Sequence, residues 1–132
     1  MQLKYTKQNF RSPCSISCVL DILGDKWTLL IVRDALFKGY TSFGQFRDST
    51  EKIASNILSN RLEKLVSNGV LTKNKNPENG LKYDYELTEV GHKLKPVLLI
   101  IGDWGFENID GVNNVQDIIA SYKEKKTEYN KT

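Results

Sequence analysis

The hydrophobic pattern changes from a helical period to strict alternation between Ala54 and Leu87, and this change limits the folds that the chain can adopt. Apolar residues at i, i+4, i+7 and i+8 predict a helix from Ala54 to Asn68, with Leu58, Leu62, Leu65 and Val66 on its buried side. Leu71–Lys75 then predicts a first strand. A half-buried second strand follows, because apolar Leu81, Tyr83, Tyr85 and Leu87 alternate with charged residues. Asn79-Gly80 is expected to supply positive φ in the connecting turn. A helix followed by a two-stranded hairpin results.

Three shorter helices are predicted upstream. The first runs from Pro13 to Leu23, with Ser12 as its cap, and Gly24 is expected to end it in a left-handed conformation. Its apolar stripe is Ile16, Val19, Leu20 and Leu23. The second helix runs from Lys26 to Phe37, is capped by Asp25, ends at Gly39 and turns Trp27, Leu30, Ile31 and Leu36 inward. The third runs from Phe43 to Asp48 and is capped by Ser42.

Downstream, Thr88 is expected to cap a long helix from Glu89 to Trp104, in which Pro96 either causes a kink or lies in the first turns after a break near Gly91. Gly105–Asn114 is predicted as a loop. A modest terminal helix follows, outlined by Val115, Ile118, Ile119 and Tyr122. The segment Val97–Ile101 is apolar on all sides, so one face needs cover from a second subunit. The predicted dimer interface comprises Val97, Leu98, Ile101 and Trp104.

Short helix, turn, long helix and hairpin together predict a winged helix-turn-helix of the α+β class, mainly α, with extra terminal helices that form a dimer interface. We expect residues 1–12 to be an N-terminal arm and residues 13–105 to be the DNA-binding domain with its dimerisation helices. Residues 106–132 would form a loop, a short helix and a frayed tail. A winged helix also serves as a protein-docking module, and that alternative stays open.

Charge distribution supports double-stranded DNA as the partner. Residues 54–82 contain five basic and two acidic residues, a net charge of +3 that equals the net charge of the whole chain. The face of the long helix opposite its leucines would read DNA, with Arg61 and Lys64 holding the backbone and wing residues contacting phosphates. The predicted DNA-binding residues are Ser55, Asn56, Ser59, Asn60, Arg61, Lys64, Lys73, Lys75, Asn76 and Lys82.

Other classes of protein fit the composition poorly. The chain has two cysteines and one histidine, His92, so we expect no metal site, and it has no phosphate-binding loop, so we expect no cofactor. Catalysis would need a third group to orient Cys14 and His92, and none is evident. The longest apolar run is too short to span a membrane, and the polar N-terminus lacks a secretory signal, so we expect a cytoplasmic protein.

Several segments together resemble the HxlR family of bacterial regulators, between about Cys14 and Gly105. They are LDILGDKWTLLI (residues 20–31), FGQFR (43–47), LSNRLEKL (58–65), YDYELTEVG (83–91) and LKPVL (94–98), followed by Trp104-Gly105. The resemblance implies a homodimer built from terminal helices that represses or activates nearby genes, and it favours this family over the MarR type. Repression of a palindromic operator, with a small-molecule inducer, is the expected mode.

Some members of the family sense oxidants or electrophiles with a cysteine that matches Cys14. Placement at a helix N-terminus would make Cys14 more reactive, whereas Cys18 is predicted to be a small core residue. The alternative is that Cys14 only packs near the dimer interface. Two positions depart from the family pattern: Ser15 stands where proline usually follows the cysteine, and Asp25 stands where glycine is common. We expect Asp25 to cap the helix in place of that glycine.

Overall fold

A computed structural model describes residues 10–122 of the 132-residue chain. Its helices are α1 (Ser15–Leu23), α2 (Thr28–Arg33), α3 (Phe43–Arg47), α4 (Ser55–Ser67), α5 (Glu89–His92) and α6 (Lys95–Asn108), and residues 115–122 form a further helix, α7. The strands β1 (Leu71–Lys75) and β2 (Tyr83–Leu87) pair antiparallel, with Leu71 opposite Leu87 and Lys75 opposite Tyr83. The predicted fold is confirmed: it is mainly helical, with a two-stranded wing.

The core lies around α4. Leu58, Leu62 and Leu65 are buried, as the helical period predicts, and they cluster with Phe46 of α3 and Val32 of α2. Val70, Leu71 and Tyr85 close the core from the side of the wing. Since α3, α4 and β1 share one core, the helix-turn-helix and the base of the wing form one packed unit.

The first helix ends at Leu23 as predicted, but it differs from the prediction in its start and in the conformation of Gly24. It begins at Ser15 rather than Pro13, because Cys14 is the extended residue before the first turn; the amide of Cys14 donates to Ser12 Oγ at 3.2 Å. The left-handed conformation expected for Gly24 is wrong: its φ of −81° and ψ of −4° are right-handed. A glycine is needed there for space, because a Cβ atom would lie 2.3 Å from the carbonyl oxygen of Leu20.

The second predicted helix is two segments. Regular α2 passes into one π-helical turn, Asp34–Lys38, which ends at Gly39 with φ of 70°. Ile31 is buried, whereas Trp27, Leu30 and Leu36 are half-buried. The apolar period did not distinguish a π-turn from an α-turn. The wider turn coincides with a set of charged residues described below.

The wing is shorter and less covered than predicted. Strand β2 begins at Tyr83, and Leu81 is 93% exposed, so the expectation that Leu81 shares a buried face is wrong. Positive φ at Asn79 and Gly80 is also wrong. Side chains close the turn instead: Asn76 Oδ1 accepts from the amides of Glu78 (2.9 Å) and Asn79 (3.0 Å).

The long C-terminal helix is broken where the sequence indicates. Thr88 caps α5 by accepting from the amide of Gly91, and Pro96 lies in the first turn of α6. The predicted loop from Gly105 is wrong at its start, because α6 continues to Asn108. The terminal helix is present to residue 122, whereas the predicted arm before Phe10 and tail from Lys123 lie outside the described residues. Within residues 10–122, no helix is long and apolar enough to cross a membrane.

Candidate nucleic-acid interface

The outer face of α4 is polar and exposed. Ser55, Asn56, Ser59 and Asn60 are all exposed, on the side of the helix opposite its three buried leucines. Their spacing of four residues aligns them in two short rows near the N-terminal end of α4. Small polar side chains in this arrangement permit close approach of a duplex and hydrogen bonding to base edges.

A capped helix holds this face in place. Ser42 accepts from the amide of Gln45, and the Gln45 side chain accepts from the amides of Thr41 and Ser42, which completes a capping box at the start of α3. The turn between α3 and α4 includes Lys52, with φ of 53°, an uncommon conformation for a residue with a side chain. The angle between the two helices is therefore set by local backbone geometry as well as by the core.

Four charged side chains, Arg33, Asp34, Lys38 and Glu51, form what we call the α2 charge cluster. Arg33 donates to both carboxylate oxygens of Glu51, at 2.7 and 3.0 Å, and its Nε donates to Asp34 Oδ1 at 2.9 Å. Lys38 Nζ lies 3.2 Å from the same Asp34 oxygen. The hydrogen bonds from Arg33 lower the pKa of Glu51 from 4.5 to about 2. Since Glu51 lies between α3 and α4, the cluster ties the helix-turn-helix to the end of α2.

Arg61 is placed differently from the other predicted contacts on α4. Its side chain is 24% exposed, and its Nε lies 3.1 Å from Asp25 Oδ2. Its Nη1 donates to Asn60 Oδ1 at 2.5 Å. Lys64, one turn further along, is exposed. Lys64 is thus free to reach a phosphate, whereas Arg61 is engaged within the protein.

Asp25 accepts from backbone amides at the start of α2, as predicted, but α2 begins at Thr28 rather than Lys26 and Trp27 is its N-cap residue. Asp25 Oδ1 accepts from the amides of Trp27 (2.7 Å) and Thr28 (2.9 Å), and the Thr28 hydroxyl donates to Oδ2. Burial raises the pKa of Asp25, but these hydrogen bonds and the ion pair with Arg61 outweigh burial and lower it from 3.8 to about 2. The ion pair with Arg61 was not predicted, because no spacing rule connects positions 36 residues apart.

The wing carries three exposed lysines, Lys73, Lys75 and Lys82. Lys73 Nζ lies 4.4 Å from the ring centroid of Tyr83, which holds that ammonium group against the surface of the hairpin. Asn76 is half-buried and donates to Asp84 at 3.1 Å while its oxygen closes the turn. Its contacts shape the wing, so its side chain is less available to DNA than those of the lysines.

Two helices expose apolar surface. On α1, Ile16, Val19 and Leu20 are 71%, 47% and 55% exposed. On α6, large apolar side chains are at least 40% exposed at Val97, Ile100, Ile101 and Trp104, whereas Leu98 is half-buried against the core. Of the predicted interface residues, Leu98 alone packs within its own chain.

The cysteines are both free. Cys14 is exposed, whereas Cys18 is half-buried and its thiol donates to the carbonyl of Ser12 at 3.2 Å. Among residues 10–122, no three His, Cys, Asp or Glu side chains are grouped so that they could hold a metal ion.

Comparisons with known proteins agree with this geometry. A family profile for the HxlR-like helix-turn-helix matches residues 22–113. The chain is 31% identical over 114 residues to the uncharacterised HTH-type transcriptional regulator YdeP of Bacillus subtilis, covering 86% of this chain and 88% of YdeP. The solved structure of PA1607 superposes with a TM-score of 0.70 and 39% identity, covering 80% of this chain and 73% of PA1607. The oxidised form of the redox regulator HypR superposes with a TM-score of 0.62 and 29% identity, covering 74% of this chain and 99% of HypR.

The matched residues include the helix-turn-helix, the wing and all of α6, and they make up more than half of the chain. The members of this family are DNA-binding regulators of transcription. They are not enzymes. With its reading helix, its wing and these relatives in agreement, the chain belongs to the HxlR-like helix-turn-helix family of bacterial transcriptional regulators.

Proposed function

We propose that this regulator binds a palindromic duplex operator as a homodimer, with sequence specificity, and represses transcription from the promoter that contains it. The observation that carries the proposal is the exposed polar face of α4, held by a capped α3 and flanked by the lysines of the wing. A helix-turn-helix places its second helix in the major groove, while a wing reaches the flanking backbone or the minor groove.

Asn56, Ser59 and Asn60 are the side chains that would read bases. Asparagine can form two hydrogen bonds with one base edge, and serine can reach either a base or a phosphate. Lys64, Lys75 and Lys82 are exposed and would neutralise phosphates, which gives affinity without sequence preference.

The apolar faces of α1 and α6 support the homodimer. A single chain leaves Ile16, Ile100 and Trp104 more than 60% exposed, and soluble monomers rarely leave large apolar patches in water. A second copy would cover both faces. Two-fold symmetry would then place the two α4 helices roughly 34 Å apart, one turn of DNA, and require a palindromic site.

Selection of bound duplexes from a random pool tests DNA recognition. We expect one enriched palindrome, bound in a gel-shift assay with an affinity that falls steeply as salt rises. Lys64→Ala and Lys75→Ala should each weaken binding to the enriched and random duplexes alike and flatten the salt dependence. Lys93→Ala, the same charge change outside α4 and the wing, is the matched control. Absence of enrichment would instead favour the protein-docking alternative.

Light scattering tests the homodimer. Ile101→Glu should yield monomers or unfolded chain, because it places a charge in the proposed interface. Leu81→Glu is the control, because Leu81 is 93% exposed at the tip of the wing and should leave the dimer intact. A wild-type protein that is monomeric at micromolar concentration would contradict the homodimer while leaving DNA binding open.

Cys14 is the residue through which the regulator would respond to oxidants or electrophiles. Its exposed position and the likeness to a redox regulator, HypR, support this role. Operator binding should change after mild oxidation of the wild type and remain unchanged in Cys14→Ser. If Cys14→Ser responds to oxidant like the wild type, Cys14 is a packing residue.

A small-molecule inducer is the other mode of response that we propose. The cleft beside Trp27, Ile31 and Phe46 has room for about one water molecule, far less than a ligand pocket needs, and we assign no inducer to it. An inducer would therefore bind elsewhere, for instance where two copies meet.

A further inference from the structure

Three polar side chains contact one another in a row that ends on the outer face of α4. Asp25 lies in the turn between α1 and α2, Arg61 lies in the middle of α4, and Asn60 is exposed on the outer face of α4. Asp25 Oδ2 is 3.1 Å from Arg61 Nε, and Arg61 Nη1 donates to Asn60 Oδ1 at 2.5 Å. The guanidinium thus touches the carboxylate with one edge and the amide with another.

Each member of this row is fixed by its neighbour. The Asp25 carboxylate cannot turn away, because it accepts from two backbone amides and from the hydroxyl of Thr28. Arg61 Nε is buried and forms no hydrogen bond, so the Asp25 carboxylate 3.1 Å away compensates for the lost hydration of the cation by its charge alone. This ion pair and the hydrogen bond from Nη1 to Asn60 together set the orientation of the planar guanidinium.

We propose that Asp25 and Arg61 are positioning residues for Asn60: they hold its amide oxygen against Arg61 and direct its NH₂ group outwards, as a donor, to an acceptor on a base edge. This inference rests on the proposed DNA-binding function. Guanine N7 and O6, adenine N7 and thymine O4 are the acceptors of the major groove. A free asparagine would have to fix its amide upon binding, whereas Asn60 enters the groove already oriented.

A consequence distinguishes this role from simple stabilisation. The Asp25 carboxylate pairs with Arg61 on α4, whose positive charge would otherwise be available to a DNA phosphate. Asp25→Asn keeps an oxygen for the cap but removes the charge that holds Arg61. Arg61 then becomes free to contact the DNA backbone, and Asn60 loses its fixed orientation. Binding to random duplexes should stay equal or become tighter, while discrimination in favour of the operator falls.

The experiment is a double-mutant cycle on the operator selected by the wild type. Asn60→Ala should weaken operator binding roughly 5- to 150-fold in the wild-type background, the range for one good base contact. In the Asp25→Asn background the same change should cost less than about threefold, because Asn60 is no longer oriented. Asp25 and Asn60 each contact Arg61, so coupling between them reports on the guanidinium that lies between them.

Two further variants separate positioning from folding. Arg61→Lys keeps the charge but lacks the fork that reaches both partners, so it should reproduce the loss of discrimination even if Asp25→Asn folds poorly. Thr28→Val removes a hydroxyl bond to Asp25 and leaves the ion pair with Arg61. It should lower the melting temperature while keeping the ratio of operator to random binding.

The outcomes are distinct. An equal cost of Asn60→Ala in both backgrounds, or an unchanged operator-to-random ratio in both Asp25→Asn and Arg61→Lys, would overturn the positioning role while operator binding by the wild type still stands. Failure of the wild type to select any duplex would overturn the proposed function itself, and this inference with it.

Discussion

Replacement of Asp34 tests how strongly the α2 charge cluster stabilises the fold. The Asp34 side chain is 2% exposed, and its Oδ1 is within 3.2 Å of nitrogens of both Arg33 and Lys38. Asp34→Asn keeps the shape and one oxygen but removes the negative charge shared by Arg33 and Lys38; Arg33 retains Glu51, and Lys38 retains the rings of Tyr40 and Tyr122. Loss of one partner of a buried ion pair costs about 3–5 kcal/mol, and the retained oxygen places Asn at the lower end, about 3 kcal/mol. For a domain of this length, that corresponds to a drop in melting temperature of about 10 °C.

Glu51→Gln is the matched control, because it removes a carboxylate from the same arginine at a more exposed place. The Glu51 side chain is 38% exposed, and Arg33 keeps its contact with Asp34 in this variant. Water screens the Glu51 pair, so the expected cost is about 1 kcal/mol or less, and it should shrink further in high salt. The cost of Asp34→Asn should persist in salt, because Asp34 is shielded from solvent.

Urea and thermal unfolding at pH 7 and constant protein concentration would measure both costs, with circular dichroism as the probe. The reasoning is refuted if Asp34→Asn costs less than Glu51→Gln, or if salt reduces both costs equally. Either result would mean that burial of Asp34 does not govern the energetics of the cluster.

Three further results are expected. Asp25 and Glu51 have pKa values of about 2, below their ordinary 3.8 and 4.5, so the stability that they contribute is complete above pH 5 and is lost as the pH falls towards 2. In a plot of melting temperature against pH, Glu51→Gln should therefore fall less steeply than the wild type at acid pH. Parallel curves for the two proteins would contradict this. Gly91→Ala should destabilise by about 1–3 kcal/mol, since its Cβ would lie 2.4 Å from the carbonyl oxygen of Val70, whereas Gly105→Ala, with open space around it, should be neutral or stabilising in the same denaturation assay. The melting temperature should rise over about a hundredfold increase in protein concentration if folding is linked to dimerisation, and a constant value would count against that link.

Elements with a repeating apolar pattern could be predicted from the sequence. The stripe of α4 at Leu58, Leu62 and Leu65 is buried as the period requires, and β1 has its predicted bounds. Caps at Ser42 and Thr88 are also present, because each uses a hydroxyl next to the first helical turn. These features are local, so a window of about ten residues contains the information that determines them.

Features that depend on space rather than on period could not be predicted in this way. The alternation of Leu81 with Tyr83 continues beyond the core, since the hairpin protrudes and leaves Leu81 with nothing to cover it. Gly24 looks like a left-handed cap in sequence, yet its role is to avoid the carbonyl of Leu20. Asn76 and Asn79 replace the expected positive-φ turn with side-chain hydrogen bonds, an arrangement that asparagine-rich turns allow but do not require.

The candidate site also has features that the local sequence pattern predicts and features that it does not. The exposed polar face of α4 follows from the positions of its buried leucines, so the four small polar residues could be placed from sequence. The contacts of Arg61 could not be predicted, because its partner Asp25 lies 36 residues earlier, in the turn between α1 and α2. Exposure on a helical wheel and availability to DNA are separate properties, and only tertiary contacts distinguish Arg61 from Lys64.

Long-range ion pairs connect α2 to other elements at both of its ends. Asp25, at its start, holds Arg61 in α4, and Arg33, at its end, holds Glu51 in the turn before α4. Helix α2 also packs against α6, which carries much of the exposed apolar surface. These two ion pairs thus join α2 to α4 and to the turn before it, and α2 in turn packs against α6, the helix that carries most of the proposed dimer interface. In the proposed homodimer, α2 and its ion pairs would therefore act together with the shared core in linking each α4 helix to the interface.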